Sequence, residues 1–74
     1  MSAHEFTIVA TGLDPNAEDF ENRFFAGCSD ATISLQNGVI VLDFAREAQT
    51  FDQALVSAIG DVLQAGAKIE LVYG

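Results

Sequence analysis

The chain has one cysteine, Cys28, and one histidine, His4, and these are its first candidates for covalent or metal chemistry. Cys28 follows Phe24 and Phe20 at helical spacing, which predicts that its thiol points into the core, where a cysteine is usually inert. His4 lies near the start of the chain, so we expect a frayed terminal histidine rather than a ligand or a general base. A redox or soft-metal motif would need a partner cysteine. The sequence therefore predicts no cofactor, no metal and no catalytic residue.

Charged side chains from separate parts of the chain form the next candidate site. They are predicted to collect at one end of the fold, and they are Asp30, Asp43, Arg46 and Glu47. We expect them to form an ion-pair cluster that fixes the turn between the third strand and the second helix. The alternative is that Arg46 holds an anion, which the excess of negative charge disfavours.

The turn over residues 12–16, Gly-Leu-Asp-Pro-Asn, is a third candidate because it leads from a strand into a helix. It resembles the ligand loop of amino-acid-sensing regulatory domains, where backbone amides at a helix start hold a carboxylate. This gives an alternative function, a domain that senses a small metabolite. Asp14, Glu18 and Asp19 would repel a carboxylate, so the favoured role of the turn is a helix cap.

Composition excludes several classes of partner. Eleven acidic and three basic residues among 74 give a formal net charge of −8. Binding to phosphates needs clustered Lys and Arg, so the charge opposes nucleic acid and disfavours an anionic membrane. The chain start is not a signal peptide, no apolar run could span a membrane, and one cysteine cannot form an intrachain disulfide. We therefore expect one soluble, cytoplasmic domain over residues 1–74.

Hydrophobic periodicity predicts six elements. Alternating patterns indicate strands over residues 4–11, 31–36, 39–44 and 68–73. Helical spacing indicates a short helix over residues 15–26, starting at Pro15 and ending at Ala26. A second helix is expected to begin after Thr50, which forms a capping box with Gln53, and to end before Gly66.

The clearest local signal is a hairpin around Asn37-Gly38, the preferred dipeptide of a two-residue type I′ turn. Its register would place all apolar pairs on one face and the more polar pairs on the other. The predicted pairs are Gln36 with Val39, Leu35 with Ile40, Ser34 with Val41, Ile33 with Leu42, Thr32 with Asp43, and Ala31 with Phe44.

The order strand, helix, strand, strand, helix, strand predicts an α+β, ferredoxin-like β-α-β-β-α-β fold. Such a fold has a four-stranded antiparallel sheet with both helices on one face. The first and third strands would lie in the centre of the sheet. In the last strand, Ile69, Leu71 and Tyr73 are expected to point inward.

The face of the sheet without helices is the predicted interaction surface. It would carry four valines, Val9, Val39, Val41 and Val72. A contiguous apolar group suggests a covered surface, whereas the alternative is that valine is simply a good strand residue, and the sequence leaves both open. The RNA-binding version of this fold needs stacking aromatic residues at these positions, which the sequence does not supply.

Residues 26–32 and 38–48 contain the motifs A-G-C-x-D-A-T and D-F-x-R-E-A, and a similarity continues through residues 54–62 and 65–66. Over nearly its whole length the chain resembles the N-terminal domain of small, largely uncharacterised bacterial proteins whose C-terminal part looks like a helix-turn-helix DNA-binding segment. The sequence ends at Gly74 without such a segment. The resemblance therefore implies an accessory module, either part of a longer regulator or a stand-alone member, and implies no catalytic residue.

These observations together predict a non-enzymatic protein-interaction or oligomerisation module, accessory to a bacterial regulatory protein. Its partner would be a second copy or another protein domain, bound through the open face of the sheet. Direct binding to nucleic acid or to a membrane is not expected.

Overall fold

The computed structural model describes residues 2–14, 16–25 and 27–74, and it shows four strands and two helices in the predicted order. The elements are β1 (Ser2–Thr11), α1 (Phe20–Phe25), β2 (Ala31–Gln36), β3 (Val39–Ala48), α2 (Phe51–Gln64) and β4 (Lys68–Tyr73).

The strands form one antiparallel sheet in the order β2-β3-β1-β4, so the fold is α+β with β1 and β3 in the centre, as predicted. Side chains from both helices pack against the same face of the sheet, which we call the helix face. Burial of apolar side chains there supplies the main stabilisation of the fold. The largest fully buried side chains are Phe24, Ile8, Ile40, Leu42 and Val62.

The β2–β3 hairpin has the register that the sequence predicts, in all six pairs from Ala31–Phe44 to Gln36–Val39. Asn37 and Gly38 have φ angles of 52° and 80°, as a type I′ turn requires at both central positions. Leu35 lies on the predicted face but remains exposed at the end of the edge strand. A local turn therefore fixes which side chains share a face, and tertiary packing decides how deeply each is buried.

The central ribbon is longer than predicted, because β1 begins at Ser2 and β3 continues to Ala48. Arg46 and Glu47 therefore lie in a strand and not in a turn. The expectation of a frayed His4 was wrong as well. His4 pairs with Arg46 across the ribbon, and its Nε2 donates to the Ala48 carbonyl at 3.1 Å. Pairing with a neighbouring strand overrides the weak strand propensity of these charged residues.

The first helix is shorter than predicted. It begins at Phe20, while Pro15 and Ala26, its predicted ends, lie outside the described residues. Asp14 caps a turn rather than the helix, because its Oδ1 accepts from the Asn16 amide at 2.9 Å and its carbonyl accepts from Ala17 at 3.1 Å. Such local side-chain bonds offer the backbone an alternative to helix.

The last strand carries a β-bulge at Glu70. Val9 pairs with Leu71, whereas the next residue, Ala10, pairs with Ile69, so Glu70 is the extra residue. A one-residue shift exchanges the faces of the residues that follow it. The expectation that Leu71 and Tyr73 point inward was therefore wrong. They lie on the side without helices, and Val72, opposite Ile8, packs against the core.

The second helix matches its prediction closely. The Thr50 hydroxyl accepts from the Gln53 amide at 3.1 Å, and Ala54, Ala58 and Val62 are buried against the sheet. Gly60 lies on the exposed side of the helix. No helix in the described part of the chain is long and apolar enough to span a membrane.

Replacing Gly60 with alanine is expected to raise the free energy of unfolding by about 1 kcal/mol, because glycine is a poor helix former and nothing lies within 4 Å of an added Cβ. Equilibrium urea denaturation measures this change. Gly38→Ala is the matched control. Its added Cβ also meets nothing within 4 Å, but its φ of +80° strains an alanine, so the stability should fall. A Gly60→Ala protein no more stable than the parent would contradict the prediction.

Candidate functional site: the open face of the sheet

The side of the sheet opposite the helices, the open face, carries a contiguous group of apolar side chains. We call this group the apolar patch, and its members are Val9, Val39, Val41, Leu71 and Tyr73. Val41 is only 7% exposed because Val9 and Ser34 flank it on the neighbouring strands. Leu71 and Tyr73 are 55% and 51% exposed. The patch therefore has a tightly packed centre and two large, accessible side chains on β4.

Three carboxylates lie beside the patch on the same face, and we call them the acidic triangle: Glu5, Asp43 and Glu47. Glu5 of β1 is opposite Ala45 of β3, and the two acidic residues of β3 lie two positions to either side of Ala45. In an antiparallel pair such diagonal neighbours are about 7–8 Å apart. The open face is therefore divided into an apolar part and an acidic part.

The triangle borders the patch through Thr7, which pairs with Asp43 on one side and with Tyr73 on the other. The Thr7 hydroxyl donates to the Asp43 carboxylate at 2.7 Å. Among the described residues, no member of the triangle forms a salt bridge. Their negative charge is therefore presented to solvent beside an apolar surface.

Three of the four predicted valines, Val9, Val39 and Val41, lie together on this face, whereas Val72 lies on the helix face. Sequence reasoning missed Leu71 and Tyr73, the two most exposed members of the patch. The signal that could have found them is the uninterrupted apolar run Leu71-Val72-Tyr73. Such a run fits either face of a strand equally well, and only pairing with β1 decides between them.

Arg46 is the centre of the predicted charged cluster, and it lies on the helix face of β3 with its side chain only 12% exposed. The structure brings it together with Asp30, as expected, but not with Asp43 or Glu47. Those two residues differ from Arg46 by an odd number of positions along the strand, so they point to the opposite face. Asp61 of α2 takes their place as the second carboxylate.

All five N–H donors of the Arg46 guanidinium have partners within the chain. Nε donates to Asp30 Oδ2 at 2.8 Å and Nη2 to Asp30 Oδ1 at 3.0 Å, which is a bidentate pair. Nη1 donates to Asp61 at 2.8 Å and to the Ser57 hydroxyl at 3.1 Å, and Nη2 donates to the Gly27 carbonyl at 2.6 Å. No donor is left for an external anion, so this arginine holds the fold together and not a ligand.

The charges in this network reinforce one another. The hydrogen bond from Arg46 lowers the pKa of Asp30 below its usual value, and burial opposes that shift only in part. In return, the bonds to Asp30 and Asp61 raise the pKa of Arg46. Both groups therefore stay ionised throughout the physiological range.

Cys28 is 2% exposed, and burial raises the pKa of its thiol to about 11, with the neighbouring Asp61 carboxylate adding to the shift. At neutral pH the thiol is protonated and shielded, which makes it a poor nucleophile. Within the described ranges, no three His, Cys, Asp or Glu side chains are grouped closely enough to hold a metal ion.

The turn that was predicted as a possible ligand loop borders a hollow of about 210 Å³. This hollow is lined by Gly12, Leu13, Asp14, Ala17, Asp19, Phe20 and Arg23. Its only cation, Arg23, is bonded to Asp19 at 3.0 Å and also donates to the Ala65 carbonyl at 3.3 Å. The charge that remains is negative. The hollow is thus poorly suited to a carboxylate ligand, and the metabolite-sensing alternative stays a prediction.

Comparison of the chain with protein-family models, with curated proteins and with solved structures finds no match.

Arg46→Met is expected to lower the free energy of unfolding by about 3 kcal/mol, because it leaves two carboxylates and a carbonyl without their cationic donor. Arg46→Lys should recover only part of the loss, since an ammonium cannot make the bidentate pair. Urea denaturation measures both effects. Arg23→Met is the matched control, because its ion pair with Asp19 is exposed and should be worth less than about 1 kcal/mol. Equal losses at the two positions would contradict this account of Arg46.

Between pH 9 and about pH 11 the protein should lose stability that a Cys28→Ala variant does not lose. The thiol has a pKa of about 11 when folded and an ordinary value of 9.0, so the unfolded chain releases this proton first. The contribution is therefore complete below pH 9.0 and is lost as the pH rises toward about 11. Urea denaturation of both proteins across this range gives a difference curve that isolates the contribution of the thiol. A flat difference curve would rule out the shifted thiol.

Proposed function

We propose that the protein is a non-enzymatic interaction module whose open sheet face is covered by another protein surface. The observation that carries this proposal is the apolar patch, in which two large side chains on β4 are about half exposed beside packed valines. Contiguous apolar surface of this kind marks interaction sites on folded domains. Tyrosine is also enriched at protein interfaces, because it combines apolar area with a polar tip.

The groups that could perform chemistry are already engaged in the fold, which supports a role without catalysis. His4 donates to a backbone carbonyl, Cys28 is buried with a raised pKa, and every donor of Arg46 is used. A catalytic residue would need to reach a substrate. The open face, by contrast, offers contact area and charge.

We also propose the finer fold assignment, ferredoxin-like. The order of the elements, the central position of β1 and β3 and the shared helix face support it; read from the β4 edge, the strands follow as β4-β1-β3-β2. The six-residue α1 is its weakest element. The role as an accessory to a bacterial regulatory protein rests on the sequence resemblance, and the partner is a second copy or another domain.

Cysteine footprinting tests whether the open face is covered. Leu71→Cys places a reactive thiol in the apolar patch, and Val56→Cys, at a position 68% exposed on α2, is the matched control. The native Cys28 adds little background because it is buried. The rate of maleimide labelling is measured for each variant, both purified and in extract of the cells that make the protein.

If a partner covers the face, labelling of Leu71→Cys should be roughly fivefold slower in extract than in purified protein. This is the factor expected when four fifths of the molecules are occupied. The labelling rate of Val56→Cys should be the same in both. Repeating the measurement on purified protein at rising concentration shows whether a second copy gives the same protection. Equal labelling rates for Leu71→Cys in extract and in dilute purified form would overturn the proposed function.

A further inference from the structure

We infer that the partner surface on the open face is cationic: a protein segment that presents Lys or Arg next to apolar side chains. This inference rests on the proposed function and names the chemistry of the partner. It follows from the position of the acidic triangle, from the pairing of the three basic side chains with other carboxylates, and from the cost of keeping three carboxylates together.

The position of the triangle sets the first condition. Glu5, Asp43 and Glu47 lie on the same face as the apolar patch and border it at Thr7 and Tyr73. A surface that covers Leu71 and Tyr73 would therefore extend over the carboxylates, which would be partly desolvated. Desolvated carboxylates need a compensating positive charge or hydrogen-bond donors.

None of the three basic side chains of the chain is paired with the triangle. Arg23 is paired with Asp19, and Arg46 is paired with Asp30 and Asp61 on the other side of the sheet. Lys68, the third basic residue, is on the open face but lies 3.7 Å from the Glu70 carboxylate. A compensating charge supplied by the partner meets this need.

The triangle also costs stability in the isolated chain. Like charges on neighbouring strands repel each other. Asp43 accepts from the Thr7 hydroxyl, but the exposed carboxylates of Glu5 and Glu47 form no hydrogen bond or salt bridge among the described residues. Neutral side chains at Glu5 and Glu47 would fit the strands equally well. The charges of Glu5 and Glu47 are therefore better explained by what they bind than by how the chain folds.

A second copy satisfies this requirement poorly. Two chains that each carry a net charge of −8 would bring two acidic faces together. Such an association would become stronger as salt screens the repulsion, whereas a cationic partner would be released by salt. The sign of the salt dependence therefore separates the two occupants.

The test uses a ten-residue peptide of alternating lysine and valine, blocked at both ends, as the cationic probe. The face variant combines Glu5→Gln, Asp43→Asn and Glu47→Gln. The matched control combines Asp14→Asn, Glu18→Gln and Asp52→Asn, which removes the same number of charges from exposed positions off the face. Affinities are measured by titration calorimetry at low and at high salt, and urea denaturation checks that each variant is folded.

The expected result is that the parent and the control bind the probe with similar affinity, whereas the face variant binds about tenfold more weakly. High salt should weaken binding to the parent. The face variant should also unfold at a higher urea concentration than the parent, since the repulsion within the triangle is gone. No such gain is expected from the control, because its three charges lie outside the strands and do not face one another across a paired ladder.

Equal weakening in the face variant and the control would overturn the inference, because it would mean that the probe senses only net charge. Leu71→Ser separates this outcome from a failure of the proposed function. If Leu71→Ser weakens binding while the face variant does not, the face docks partners but the partner is not cationic. If neither substitution weakens binding, both proposals fail. Self-association that grows with salt and buries Leu71 would assign the face to a second copy instead.

Discussion

The guanidinium of Arg46 joins three separate parts of the chain through hydrogen bonds. It rises from β3, binds the loop after α1 at Gly27 and Asp30, and binds α2 at Ser57 and Asp61. It also lies 5.1 Å above the Phe44 ring, which links the polar network to the apolar core. A six-residue α1 supplies little packing surface, so this network does much to fix the loop that joins α1 to the sheet.

Three basic side chains cannot neutralise eleven acidic ones. Arg46 is paired with Asp30 and Asp61, Arg23 is paired with Asp19 four residues earlier, and the acidic triangle forms no salt bridge among the described residues. The open face therefore carries part of the negative charge that composition leaves unpaired. The helix face carries the stabilising network of Arg46, and the opposite face carries the acidic triangle and the apolar patch.

Local signals in the sequence correctly predicted the β2–β3 hairpin and the second helix. The Asn37-Gly38 turn predicted every pair of the β2–β3 hairpin, and Thr50 together with helical spacing predicted α2. Features that depend on a distant strand were not predictable in this way. The bulge at Glu70 exists only in relation to β1, so the alternation of β4 was read one position out of phase. The charged end of β3 was read as a turn because its strand partner lies at the start of the chain.

The same difference between local and long-range signals applies to the candidate site. Alternation along β1 and β3 placed three valines on one face correctly, and Arg46 was recognised as an ion-pair centre with Asp30. Asp61 was missed because helical periodicity gives the side of α2 on which it lies but not which loop approaches that side. Asp43 and Glu47 were predicted to pair with Arg46 because this segment was expected to be a turn, in which neighbouring side chains can meet. In the strand, side chains at odd and even positions point to opposite faces of the sheet, which separates these two residues from Arg46.

The bulge at Glu70 also limits the kind of assembly that this chain can form. β4 is an edge strand, and a straight, apolar edge could recruit further strands without end, which is how fibres grow. An irregular ladder next to an exposed lysine, Lys68, makes that edge a poor template. Addition of further strands, and with it the growth of fibres, is therefore disfavoured at this edge of the sheet.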